Sequence, residues 1–274
     1  MVVAALIAIG TALLVSCEKE VNISDNLPKT LTDTNPYAFV GLEHNQLLNY
    51  VGLEMADTLD FYSSKQTLSS NDKQILYSIF LEKSQEYMVS EKGMESQSAS
   101  DLVSEFHNSF TVDTFNSIIL NTTYDSVLTE IISSCDEDGN DIIEKIQNKE
   151  NEVLLSFSTE TSRDEIIMEM LAVLKYSVFY WKDAQINENN PWHAFVNSRN
   201  DSLIDMSDAK SADNFIGSIV NWAKRKWQKI KEKWQAVVLS DAAGAVIGAI
   251  KYGPTFPNIA IGAGLQSGAT MLML

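Results

Sequence analysis

Apolar residues recur at three- and four-residue steps through most of this chain, the signature of helices that bury one face. The most regular row runs from Arg163 to Ala184 and carries Ile167, Met170, Leu171, Leu174, Val178 and Trp181. Nearer the start, Val40, His44, Leu47, Leu48 and Val51 share a face behind Asn35-Pro36. That dipeptide predicts a helix start, with Asn as the N-cap and Pro at the first helical position. A second helix is expected over 72–92, carrying Leu76, Phe80 and Tyr87, with Gly93 as its stop. Shorter helices are expected over 99–109, 112–121, 124–135 and 140–155. Asn190-Pro191 repeats the Asn-Pro start, and the echo reads as shared capping grammar rather than duplication. No alternation of period two persists anywhere, so residues 35–210 read as the helical domain of an all-α bundle.

The strongest amphipathic pattern lies beyond it, over 211–241. Ile216, Ile219, Val220, Ala223, Trp227, Ile230, Trp234, Val237 and Val238 share a stripe, while the lysines and Arg225 mostly fill the other side. Trp222, Trp227 and Trp234 with Lys226 and Lys229 suit a helix lying at an anionic bilayer surface. The same stripe suits a helix packed on an acidic body with its indoles in the core. From Ala242 to Leu274 the only charge is Lys251, and Gly244-xxx-Gly248 and Gly264-xxx-Gly268 have the spacing that lets helices approach closely. Pro254 and Pro257 divide this Gly/Ala-rich tail into an apolar helical hairpin, one arm reaching about Ile250 and the other starting about Asn258. Such a hairpin could insert partly into a membrane, dock on the body, or self-associate.

At the other end, residues 2–16 are free of charge and shorter than the ~20 residues of a membrane-spanning helix, the length of a signal-peptide core. Leu14-Val15-Ser16-Cys17 follows and resembles the lipobox of bacterial lipoproteins, although Met1-Val2-Val3 lacks the Lys or Arg that family carries there. The resemblance implies that residues 1–16 are a signal peptide removed on export, and that Cys17 becomes the acylated first residue of the mature chain. Membrane lipid is then a partner through Cys17 acylation (diacylglyceryl plus an amide-linked chain such as palmitate), the outer membrane is the expected location, and residues 17–34 are a polar tether. The order of lipobox, Asn-Pro-aromatic helix start, helical body and Gly/Ala-rich end is also similar to helical lipoproteins of Bacteroidota. The tail by itself resembles membrane-active peptides of the bacteriocin type.

Charge narrows the partners. The net charge of −17 disfavours nucleic acid, and it is uneven, because residues 222–234 hold a local +5 and leave −22 for the rest. Two cysteines cannot build a disulfide scaffold, and Cys135 falls on an apolar row with Tyr124, Leu128 and Ile131. His44, His107 and His193 are far apart in sequence, with His44 reading as a core histidine and His193 as a capping or surface residue. Aligning Asp136–Asp141 with a calcium loop puts Ser134 first and Lys145 where a bidentate Glu is required, so an acidic turn is expected and no metal or cofactor is assigned. No Walker loop, nucleophile elbow or dinucleotide fingerprint occurs. The expectation is a lipid-anchored envelope protein that binds or assembles, with a second copy or another envelope protein as partner. A membrane-active effector acting through 211–274 is the alternative, and a hydrolase built on a carboxylate pair comes third.

Overall fold

In the computed structural model the described residues are 34–136, 139–156, 162–200, 218, 222–223, 233–253 and 256–273. They form eleven helices and no strand, an all-α bundle in which Thr32–Leu274 is one compact unit. In chain order these are α1 (Ala38–Glu54), α2 (Ala56–Ser63), α3 (Ser70–Ser90), α4 (Ser96–Ser109), α5 (Val112–Ile118) and α6 (Thr123–Ser134). Then come α7 (Ile142–Leu155), α8 (Ser162–Ile186), α9 (His193–Asn200), α10 (Lys233–Tyr252) and α11 (Phe256–Met273).

Local chemistry sets the ends. Ser69 caps α3 through a full capping box with Asp72, and past the other end Gly93 takes φ +64° while Met94 N–H donates to the Met88 carbonyl. The Asn-Pro starts work differently from the N-cap expected. Asn35 stands three residues before α1, and its Oδ1 accepts from Tyr37 N–H at 2.8 Å. Asn190 does the same for Trp192 N–H at 3.0 Å. In both turns the Asn Nδ2 donates to a carboxylate, Glu150 in one and Asp183 in the other. Proline fixes φ at the next residue and disfavours helix at the Asn before it, so each Asn folds an Asx turn that aims the chain into its helix.

The centre is built from α8, α1 and the C-terminal hairpin α10–α11, which pack on one another. Helix α8 is buried on nearly every side rather than along the one row expected, with Ile166, Met168, Ala172, Val173 and Ser177 as enclosed as Leu171 and Leu174. The cause is its position, since α1, α7, α9 and α10 all pack against it. One helix also runs unbroken through the change of composition at 241/242. The hairpin turns at Gly253 (φ +90°), and Asn258 Nδ2 closes the turn on the Tyr252 carbonyl.

Candidate functional site

The C-terminal hairpin was the part of the chain open to membrane, body or second copy, and the fold places it in the body. A Cβ at Gly244 would stand 2.7 Å from the Gly262 carbonyl oxygen, and one at Gly248 2.6 Å from that of Asn258. These two glycines therefore let α10 and α11 meet backbone to backbone. Gly264 and Gly268 face elsewhere, against Leu47 of α1 and the Phe80 ring of α3. The two small-xxx-small motifs do not pair with each other. The partner of the first is Gly262, whose own Cβ position is closed by Gly244 and Phe106. Two residues before Gly264, it was visible in the sequence only as one more small residue.

The tryptophans at either end of the basic segment are buried as well. Trp222 Nε1 donates to Asp125 Oδ1 at 2.8 Å, and its ring meets Phe115 edge-on with centroids 5.4 Å apart. Trp234 lies under Lys182, whose Nζ is 5.0 Å from the ring centroid. Cys17, Trp227, Lys226 and Lys229 lie outside the described residues.

Buried polar side chains hold the middle of the hairpin. Asp241 of α10 is buried, and its Oδ2 accepts from Ser177 Oγ and, at 3.3 Å, from Trp181 Nε1, which also donates to Ser267 of α11. His44 Nε2 stands 3.4 Å from the same oxygen. The neighbouring bonds settle the tautomer. Asn45 Nδ2 donates to the Tyr176 carbonyl at 3.0 Å, so its Oδ1 is the atom 2.9 Å from His44 Nδ1, and Nδ1 must donate. Nε2 faces the carboxylate, yet neither Nε2 nor Asp241 Oδ1 has a hydrogen bond. Ser, His and Asp are together, yet serine and histidine both meet the carboxylate. Acyl transfer needs serine on histidine and histidine on aspartate. The cluster is an anchor joining α1, α8, α10 and α11.

A buried ion pair lies along α8. Lys175 Nζ donates to both oxygens of Glu150 at 2.8 Å, and Asn35 Nδ2 adds a third bond at 2.6 Å, as burial of a charge pair requires. The remaining singled-out residues have structural partners. His107 meets the Tyr77 hydroxyl at 3.1 Å, and His193 Nδ1 stands 3.0 Å from the Ala184 carbonyl near the end of α8. Cys135 packs half-buried against the core, and burial pushes its thiol up to about 12. In the acidic turn, Asp136 and Asp141 accept from the backbone N–H groups of Asn140 and Asp136. Among the described residues no group of three or more His, Cys, Asp or Glu is arranged around one metal position, and no helix is long and apolar enough to cross a membrane. Compared with protein-family models, curated proteins and solved structures, the chain matches none.

Proposed function

We propose that this chain is a lipid-anchored cell-envelope protein of the outer membrane, tied through acylated Cys17, that acts by binding or assembly. The observation that carries the proposal is Leu14-Val15-Ser16-Cys17 directly behind an uncharged apolar run, with a polar stretch after it. The packing supports Cys17 as the principal tie, because Gly244, Gly248, Gly264, Gly268, Trp222 and Trp234 already have partners inside the fold. Two or more acyl chains give a lasting anchor where one is marginal. Mass spectrometry of the mature protein is expected to find Cys17 as an acylated N-terminus. Cys17→Ala should move the protein to the soluble fraction with its melting temperature unchanged. An unmodified chain still beginning at Met1, or a Cys17→Ala variant that resists alkaline washing from membranes, would sink the proposal.

The alternative of a membrane-active effector draws on one feature, an apolar hairpin enclosed by more polar helices. It requires α10 and α11 to leave the body and carry Asp241 and Gln266 into lipid, at a cost of several kcal/mol for the charge. Dye release from anionic vesicles by the full chain at micromolar concentration would favour it, and intact vesicles would remove it.

A further inference from the structure

Three helices have an end in the same place. Helix α1 lies parallel to α8: a Cβ on Gly41 would meet the Ala172 carbonyl oxygen, and further along Asn45 Nδ2 donates to that of Tyr176. Both therefore start at one end of the bundle. Helix α7 finishes there, because Asn35 Nδ2 bonds Glu150 Oε1 near the close of α7 at 2.6 Å and the Met168 carbonyl near the opening of α8 at 2.9 Å. Asn35 is buried and directly follows residues 17–34, so the proposed tether reaches the body at this end.

The rim of that end carries large apolar side chains in the open. Phe39 at the start of α1 is 49% exposed, and Leu155 at the end of α7 is 91% exposed. Tyr37 is half-buried, its ring centroid 6.4 Å from that of Phe39. Arg163, the second residue of α8, has 60% of its side chain exposed. The acids nearby are Glu150 and Glu152, paired with Lys175 and Lys149, and the half-buried Glu165. Apolar residues scattered singly over a surface need no explanation. Two aromatics, a leucine and an arginine gathered at one end from three elements are the set a membrane–water interface favours, with rings at headgroup level and a guanidinium reaching phosphate.

We propose that Tyr37, Phe39, Leu155 and Arg163 form the face that this protein lays on a zwitterionic lipid bilayer. The contact rests on the lipid-anchored reading of Cys17 and adds the body to that anchor. A free chain of the tether's length spans about 20–25 Å, so the rim stays within reach of the lipid that holds Cys17. Tethering makes the contact intramolecular, at an effective concentration on the order of millimolar, so a patch too small to hold lipid by itself is enough. The net charge of −17 opposes a strongly anionic surface, which leaves zwitterionic lipid as the better match. With the rim on the bilayer, the other end of α8 at Ile186, about 36 Å along the helix, points away from it.

The test uses the full acylated chain on vesicles of phosphatidylcholine and phosphatidylethanolamine. A nitroxide is placed at one position at a time, through Phe39→Cys, Leu155→Cys or Ile186→Cys in a Cys135→Ala background, and read by electron paramagnetic resonance. The same labels on the Cys17→Ala chain in solution are the reference. An interfacial face sinks about 5–10 Å into the headgroup region, so labels at 39 and 155 should lose about half or more of their collisions with a water-soluble nickel complex and gain collisions with oxygen. The label at Ile186, an 81% exposed position, should not change. Labels at 39 and 155 that stay as open to nickel as the one at 186 would overturn the face while leaving the anchor standing. Spin–spin broadening at 39 or 155 that vanishes on dilution with unlabelled protein would overturn it in favour of a second copy. A chain without acylation at Cys17 would remove the anchor and the face together.

Discussion

Asp241 shows how much one buried side chain decides. It takes two donors from α8 and lies 3.4 Å from His44 Nε2 of α1, so removing its carboxylate leaves the Ser177 hydroxyl without its acceptor and Trp181 with Ser267 alone. Asp241→Ala should therefore cost about 2–4 kcal/mol in urea unfolding. Asp241→Asn should be far milder, because the amide keeps an accepting oxygen for Ser177 and Trp181. Equal losses in the two variants would show that the anchor does not work through the hydrogen bonds Asp241 accepts. Glu169 carries the pH dependence. Its folded carboxyl is raised from 4.5 to about 8, so the folded state keeps a proton that the unfolded chain gives up earlier. The stabilisation is complete below about 4.5 and drains away as pH climbs through about 8. Glu169→Gln should flatten that decline and raise the melting temperature on the alkaline side by on the order of 5 °C. No sequence pattern marked Glu169, since its shift comes chiefly from the depth of α8 in the fold.

For the elements, the glycines of the hairpin give an ordered set of expectations. A methyl at Gly244 or Gly248 meets a carbonyl oxygen of α11, and backbone cannot step aside. A methyl at Gly264 meets Leu47 Cδ2, the end of a side chain that can turn. Gly244→Ala and Gly248→Ala should each cost about 1–3 kcal/mol, and Gly264→Ala clearly less, read from denaturation midpoints. If Gly264→Ala proved the worst, the hairpin would pack in another register. Most elements were legible in the sequence. The helices expected over 72–92, 112–121 and 124–135 occur at 70–90, 112–118 and 123–134, because a capping box and turn residues act locally. The surroundings of α8 were not legible. Its apolar row described one face, and only the arrival of α10 on Ser177 and of α1 on Ala172 made these interior positions.

Across the whole molecule, the C-terminal hairpin is a central part rather than an appendage. It packs on α1, α3 and α8, so the body should not survive without it. A chain ending at residue 232 is expected to lose near-ultraviolet dichroism and cooperative unfolding, whereas a detachable tail would leave both in place. By itself the sequence determined the all-α class, the hairpin with its turn near Gly253, and the lipobox expectation for Cys17. Helical period, turn chemistry and short motifs are properties of neighbouring residues, so they can be read without a fold. Where the glycine faces and the indoles turn was decided only by the tertiary structure. Small residues and tryptophan suit lipid, a second copy or a protein interior equally well in a linear pattern. The choice falls to whichever surface matches them in shape and satisfies their polar atoms, and here Gly262, Leu47, Phe80 and Asp125 supply it from four distant stretches of the chain.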